Sequence, residues 1–329
     1  MKTSRHFILP AILLIVHLVI NCLSATAQTI ITNYKVRFAT ADDQGKNLII
    51  LRQFEKDGKT CYLTVNPQDM TTKIMAATTL AKFSPCSFDQ LKSTLITSPY
   101  IKALIQTQAA ALPLQNAGIT HGFPKEKGIT LTIDLCPSHK GLDRNLFTSI
   151  INAFQYTERP VPVALSLTGR FSLTHQDDMQ WLKSLVSSGK ISITWVNHTY
   201  NHYYNPSLQL NKNFLLAAGT DIDFEILGLE VSMLREGLMP SVFFRFPGLI
   251  SDQQLVDKIS SYGLIPIGSD AWLAKGQQAK AGSLVLIHGN GNEPIGVQDF
   301  IKLLGQEKTA IKQQQWLLYD LTNAISNEF

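Results

Sequence analysis

From Ile129 to the C-terminus, short apolar segments rich in β-branched residues alternate with amphipathic segments of helical periodicity. The strand-like segments are residues 129–135, 161–167, 191–196, 242–246, 264–267 and 283–287, with a last apolar element at 316–321. The helix-like segments between them are residues 144–155, 177–188, 220–236, 251–262 and 297–304. Strands that alternate with helices predict a parallel sheet covered by helices. About seven strand signals in about 200 residues predict an α/β fold, a distorted (β/α) barrel.

Residues 28–125 have a different pattern, which predicts a small β-rich N-terminal module. Residues 47–51 and 60–65 are typical of two strands, and Asp57-Gly58 between them is a hairpin turn signal. Two helical stretches follow, at 88–96 and 100–111. Because residues 124–128 (Pro-Lys-Glu-Lys-Gly) interrupt the chain, we place the barrel at 126–329.

The first 27 residues have the pattern of a signal peptide. Lys2 and Arg5 precede an apolar run from Phe7 to Leu23, and Ala25-Thr26-Ala27 follows as a small-x-small cleavage site. We expect cleavage before Gln28 and an exported protein, periplasmic or secreted. A retained membrane anchor is the alternative, and no later segment is apolar enough to span a membrane.

The net charge and the number of cysteines are consistent with an exported globular protein. The formal net charge is +4, without a basic block or interleaved aromatic and basic residues, which argues against nucleic acid as a partner. Three cysteines lie beyond the signal peptide: Cys61, Cys86 and Cys136. An exported protein can join two of them, and we predict Cys61 with Cys86. Three unpaired buried thiols are the alternative.

Five predicted strands end in a charged or titratable residue. These residues are Asp134, His198, Arg245, Asp270 and His288. Active sites of α/β barrels lie at the carboxyl ends of the strands. Since buried charges are costly unless they are paired or used, five such residues predict an active site there.

Each of these residues has a candidate role and a structural alternative. Asp134, buried on its strand, is a candidate general base, and Arg245 a candidate partner that orients it. His288 is a candidate acid for the leaving group, and Asp270 a supporting carboxylate beside the aromatic wall of Trp272. The alternatives are a helix-capping carboxylate for Asp134 and Asp270, a structural ion pair for Arg245 and a core histidine for His288.

The pair His198 and His202 is a candidate metal site. Two imidazoles four residues apart face the same way if the segment turns helically after its strand, and can then hold one zinc ion. Thr199 stands where the zinc-protease helix motif needs Glu. Two histidines without a metal are the alternative.

Residues 126–329 resemble the polysaccharide deacetylases, the NodB-homology group of carbohydrate esterase family four. Five motifs occur in the family's order: Thr132-Ile-Asp134-Leu135, His198-Thr-Tyr-Asn-His202, Arg245-Phe-Pro247, Asp270-Ala-Trp272 and Leu286-Ile-His288. The resemblance implies a divalent metal, usually zinc, held by His198 and His202. It also implies Asp134 as base, His288 as acid, Arg245 as partner of Asp134, and an oxyanion-stabilising backbone N–H near Gly248.

The chain departs from the family pattern at two places. Three residues separate the histidines instead of four, and Leu135 replaces an aspartate that the family uses as a metal ligand. Strand alternation puts Asp134 and Cys136 on one face and Leu135 on the other. A third protein ligand is expected, and the candidates are Asp134, Cys136, Asp143 and His139.

Together these observations predict an exported metal-dependent hydrolase. Its expected reaction removes N- or O-acetyl groups from a polysaccharide or a peptidoglycan-like glycan. A catalytically inactive carbohydrate-binding protein on the same barrel is one alternative. An amidase acting on non-sugar C–N bonds is another, because a fold does not fix its substrate.

Overall fold

The computed structural model describes residues 29–109, 114–122 and 127–329. The predicted signal peptide and its cleavage site before Gln28 lie outside these ranges. The predicted boundary at 125/126 also lies outside them. In the described part of the chain, no helix is long and apolar enough to cross a membrane.

The N-terminal module is an antiparallel sheet of five strands. They are β1 (Ile31–Asp43), β2 (Lys46–Lys56), β3 (Lys59–Val65), β4 (Thr72–Ala76) and β5 (Ala81–Pro85), in the order β4-β3-β2-β1-β5. Asp57 and Gly58 both have positive φ, as a two-residue hairpin between β2 and β3 requires. The sequence pattern indicated only two of the five strands. The long β1 was missed because bulges break its register with β2 and hence its alternation of buried and exposed residues.

Two helices and a connecting segment link this sheet to the barrel. The helices are α1 (Phe88–Thr94) and α2 (Pro99–Ala109). The Ser87 and Gln90 side chains form a capping box at the start of α1. In the following segment Ile119 pairs with Ile267 and His121 with Ser283, so the segment lies along the open side of the barrel.

The barrel sheet contains seven parallel strands, as predicted. They are β6 (Gly128–Leu135), β7 (Val161–Leu167), β8 (Ile191–Asn197), β9 (Pro240–Phe244), β10 (Ile265–Pro266), β11 (Ala271–Trp272) and β12 (Leu284–His288). Their order is β10-β9-β8-β7-β6-β12-β11, and the short β13 (Leu317–Leu318) also pairs with β6. The curled, open arrangement makes the sheet a half-barrel.

The remaining helices follow the strands. They are α3 (Arg144–Phe154), α4 (Gly169–Thr174), α5 (Gln176–Ser187), α6 (Leu229–Arg235), α7 (Gln253–Ser261), α8 (Pro294–Gln306), α9 (Lys308–Lys312) and α10 (Leu321–Ser326). A π-helical segment, Phe224–Gly228, leads directly into α6. Apolar residues at helical spacing, such as Leu146, Phe147, Ile150 and Phe154 of α3, are buried against the sheet.

All eight residues of β6 are buried, at the centre of the sheet. Leu135 packs in the largest apolar cluster, together with the α3 side chains. Asp134 and Cys136 point away from that cluster, as the alternation of a strand requires. Leu135 is therefore a packing residue.

The predicted Cys61–Cys86 disulfide is wrong, since both cysteines are free. Cys61 lies on β3, and Cys86 directly follows β5, where its backbone N–H bonds to Phe38 of β1. Three strand spacings separate β3 from β5, or about 14 Å. A disulfide needs Cα atoms within about 7 Å.

Candidate active site

The ends of β6 and β8 bring a cysteine and two histidines together. The ligand atoms of Cys136, His198 and His202 all lie within 4.8 Å of one another. His198 Nδ1 is 2.8 Å from the Arg245 carbonyl oxygen, to which it donates. With Nδ1 engaged in this hydrogen bond, His198 Nε2 is the nitrogen that faces Cys136 Sγ, 3.6 Å away.

The segment between the two histidines does not form the helical turn on which their convergence was made conditional. Thr199 and His202 have φ of 69° and 50°, so the chain bends through left-handed conformations instead. The imidazole centroids are nevertheless 4.8 Å apart. The left-handed bend brings the two imidazole rings together, as a helical turn would have done.

Glu225, in the π-helical segment, holds this bend in place. Its carboxylate accepts hydrogen bonds of 2.8 Å from both the backbone N–H and the side-chain amide of Asn201. Its backbone carbonyl accepts a 2.9 Å bond from Tyr200 N–H. Arg170 Nε donates to Asn201 Oδ1 from the other side. The loop is thus fixed at two successive residues, Tyr200 and Asn201, directly before His202.

Asp134 lies beside the cysteine–histidine group and is buried. Its Oδ2 is 3.7 Å from His198 Nε2, and its Oδ1 is 3.6 Å from Arg245 Nη1. Oδ1 has no hydrogen-bond partner among the described residues. Arg245 is itself anchored by donating from Nη2 to the Gly268 carbonyl. A buried carboxylate next to a fixed guanidinium, with an unoccupied lone pair, is able to accept a proton.

The electrostatics favour a thiolate at Cys136. Burial by itself raises the pKa of the Cys136 thiol. The charges of His202 and His288 and the hydrogen bond with His198 outweigh it, so the pKa lies well below its usual range. Burial lowers the pKa of His198, but the Asp134 charge reverses the direction and raises it. The thiolate is the form in which cysteine binds metals.

His288, at the end of β12, is paired with Glu293. His288 Nδ1 is 2.8 Å from Glu293 Oε2, which also accepts a 2.8 Å hydrogen bond from Trp272 Nε1. Burial lowers the pKa of His288, but Cys136, Glu293 and Asp134 together raise it well above its usual value. His288 is thus favoured in its protonated form, which is able to donate.

Asp270, Asp143 and His139 do not join this group. The Asp270 carboxylate pairs with His121 at 2.9 Å and does not line the cleft, so Glu293 supports Trp272 and His288 instead. Asp143 caps α3 by accepting from Asn145 and Leu146 N–H groups. His139 is exposed and outside the metal-binding group.

The group lies in an open cleft of about 1840 Å³. Cys136, His202, His288, Trp272 and Gly248 all line it. Gly248 has φ of 60°, and an added Cβ would lie 2.6 Å from the Phe214 ring, so only glycine fits. The assignment of its N–H to the oxyanion stays a prediction.

Comparisons with known proteins bear on the two parts of the chain separately. Residues 32–101 match the family described as the RP012 protein N-terminal domain. A family 4 carbohydrate esterase from Bacillus anthracis is similar at 15% identity and a TM-score of 0.46, covering 69% of this chain and 91% of that one. The chain resembles this family in structure.

Two further solved structures come from the same family. A family 4 pseudoenzyme from Bacillus anthracis has 18% identity and a TM-score of 0.41, covering 64% of this chain and 70% of that one. The chitin deacetylase of Colletotrichum lindemuthianum has 16% identity and a TM-score of 0.37, covering 59% of this chain and 88% of that one. Function is therefore argued from the site.

Sequence reasoning missed two residues of this site, Glu293 and Glu225. Both lie away from the ends of the sheet strands, in the loop after β12 and in the π-helical segment. A carboxylate five residues after His288 was visible in the sequence. Nothing in the sequence indicated that it, and not Asp270, reaches that histidine.

Proposed function

We propose that the protein is an exported, metal-dependent hydrolase that removes N- or O-acetyl groups from a polysaccharide or peptidoglycan-like glycan. One observation carries the proposal. The Cys136–His198–His202 donor group lies beside the buried Asp134 carboxylate at the strand ends, and Cys136 and His202 line one open cleft together with His288.

The donor group fits a divalent metal ion, and we propose zinc. One thiolate and two imidazoles are three protein ligands, the number that catalytic zinc sites use while leaving a position open. His202 Nε2 is buried without a hydrogen-bond partner among the described residues, as expected of a ligand atom. Cys136 is then the third ligand in place of the family's aspartate. Bound zinc would polarise the acyl carbonyl and acidify a bound water.

With Cys136 as ligand, Asp134 is free to act as base. Its unpartnered Oδ1 takes a proton from the attacking water, while Arg245 at 3.6 Å keeps the carboxylate in place. The N–H of Gly248, at the rim of the cleft, is the candidate donor to the oxyanion.

His288 protonates the leaving group. Its pKa lies above the usual range, so the imidazolium is available to donate to the departing nitrogen or oxygen of the sugar. Glu293 Oε2 lies 2.8 Å from Nδ1, so Nε2 is the nitrogen left to donate to the substrate. Asp134 thus accepts one proton and His288 donates one, as the hydrolysis requires.

Metal binding is tested by calorimetry with zinc on the purified protein. We expect one zinc per chain, with affinity at least about 100-fold weaker in Cys136→Ser and His202→Ala. Cys86→Ser, a cysteine on the N-terminal module, is the matched control and should bind normally. Cobalt in place of zinc should give a thiolate charge-transfer band that Cys136→Ser lacks. Unchanged affinity in Cys136→Ser would assign the third ligand elsewhere.

Activity is tested by acetate release from a panel of acetylated glycans: chitin oligomers, peptidoglycan and acetylated xylan. Asp134→Asn should lower kcat by about 10²- to 10⁴-fold. Asp270→Asn, which alters a carboxylate outside the cleft, should change it little. If the zinc-loaded protein binds these glycans but releases no acetate from any, the proposal fails in favour of a carbohydrate-binding protein. Export is tested by sequencing the N-terminus of the exported protein, where we expect Gln28.

A further inference from the structure

A second, smaller cavity lies where the N-terminal sheet meets the barrel. Its volume is about 340 Å³, within the range of small-ligand sites. Tyr34 of β1 contributes from the sheet, and Tyr200 from the loop between the two histidines. The other lining residues belong to the π-helical segment, α6 and their flanks: Asp223, Phe224, Leu227, Gly228, Val231, Ser232 and Arg235.

Phe224 connects this cavity to the active-site cleft, because its side chain lines both. It is 46% exposed, although its ring packs on Tyr200 with centroids 4.9 Å apart. The exposed Tyr203, Tyr204 and Leu210 line the cleft with Phe224, and an apolar surface of several residues is typical of a ligand-binding groove. A glycan chain that leaves the active-site cleft and passes over Phe224 enters the second cavity.

The groups around the cavity combine aromatic faces with polar donors. Tyr34 donates its hydroxyl to Glu230 at 2.7 Å, so that its ring is the part available to a ligand. The Ser232 hydroxyl and the exposed Arg235 guanidinium supply polar groups at the wall. The Asp223 carboxylate is already bonded by Tyr262 and Lys258. A neutral sugar, with an apolar C–H face and several hydroxyls, matches this combination.

We propose that this cavity is a subsite for a distal sugar of the same glycan chain whose acetyl group is removed in the cleft. The inference rests on the proposed function for its substrate. It gives the N-terminal sheet a part in substrate binding, since Tyr34 forms one wall. The enzyme then prefers long chains to short ones.

The test measures binding as a function of chain length. Affinities are determined for N-acetylglucosamine oligomers and acetylated xylo-oligosaccharides from dimer to hexamer, using the zinc-loaded full chain. Ser232→Trp fills the cavity, and Phe224→Ala removes the connecting ring. Ser187→Trp places the same bulky residue on an exposed position of α5 as a matched control.

We expect affinity to rise with chain length in the wild type and in the control, for at least one glycan series. In both cavity variants the advantage of hexamer over dimer should fall by about threefold to tenfold, the value of an aromatic contact. An equal hexamer advantage in wild type and variants overturns the subsite. So does affinity that is independent of length for both series.

Acetate release, measured on the same oligomers, separates this inference from the proposed function. Length-dependent binding that is lost in the variants, without acetate release, supports the subsite and rejects the hydrolase. Acetate release with the same length dependence in all proteins supports the hydrolase and rejects the subsite.

Discussion

At the residue scale, the site depends on which side of β6 each side chain faces. Leu135 packs into the core, whereas Asp134 and Cys136 lie on the opposite side of the strand, next to His198. A second aspartate at position 135 would be buried among Leu146 and Phe147, which no carboxylate tolerates without a partner. In the proposed function the strand supplies its soft ligand one residue later, at Cys136, and Asp134 stays available for proton transfer.

The Glu293–His288 contact leads to a prediction that distinguishes leaving groups. Glu293→Gln removes the charge that favours the imidazolium and loosens its orientation. For acetylated sugars we expect kcat to fall on the order of tenfold to a hundredfold with little change in KM. For 4-nitrophenyl acetate, whose leaving group needs no proton, the change should be small.

Glu328→Gln, near the exposed C-terminus, is the control for this variant. Equal losses on both substrates would mean that Glu293 supports the fold of the site and not proton donation by His288. Steady-state kinetics on the two substrates decides between the roles.

At the scale of elements, the loop after β8 and the π-helical segment form one unit. The loop places His202, and Glu225 bonds Asn201 through both its carboxylate oxygens. π-helical turns are rare and occur often at functional sites. Here the π-helical segment brings the buried Glu225 carboxylate against the loop that carries the candidate metal ligand His202.

Glu225→Ala should therefore weaken metal binding without touching a ligand. It leaves the Asn201 N–H unpartnered, which costs about 1–3 kcal/mol, and frees the loop. We expect zinc affinity to fall on the order of 10- to 100-fold, as for other residues that orient ligands. Calorimetry measures the affinity, and thermal unfolding monitors the fold. Zinc affinity equal to that of a Glu328→Ala control would show that the loop holds its shape unaided.

At the scale of the whole molecule, a buried ion pair fastens the N-terminal sheet to the barrel. Arg52 of β2 and Glu230 of α6 are almost fully buried, with Arg52 Nε and Nη2 at 2.7 and 2.9 Å from the two carboxylate oxygens. Arg52 also donates to the Tyr262 carbonyl at 2.6 Å. Because Glu230 Oε2 also accepts the Tyr34 hydroxyl at 2.7 Å, the same carboxylate keeps the Tyr34 wall beside the second cavity.

Breaking this pair should be strongly destabilising. In Arg52→Met the Glu230 carboxylate stays buried without its cation, and we expect the free energy of unfolding to fall by about 3–5 kcal/mol. The double variant Arg52→Met/Glu230→Met should lose less than either single variant, because no charge is left unpaired. Urea denaturation of the four proteins gives the coupling energy. A coupling near zero would show that the sheet is held by apolar packing alone.

The sequence by itself determined the parallel half-barrel and the convergence of polar residues at its strand ends. Strand alternation, helix periodicity and the order of the motifs are local patterns, and they place Asp134, His198, Arg245 and His288 without knowledge of contacts. The face of Leu135 also followed from alternation alone. These features follow from the spacing of apolar residues along the chain and from the rule that parallel strands end on the same side of the sheet.

Only the tertiary structure decided which side chains meet. It brought Cys136, and neither Asp143 nor His139, into one group with His198 and His202, because the left-handed bend at Thr199 and His202 turns the second imidazole back toward the first. The tertiary structure also shows that Glu293, and not Asp270, contacts His288. Asp270 instead pairs with His121, a residue from a distant segment. The strand order of the N-terminal sheet keeps Cys61 and Cys86 too far apart for a disulfide, and both are free. Such choices depend on contacts between residues far apart in sequence, which periodicity and spacing do not encode.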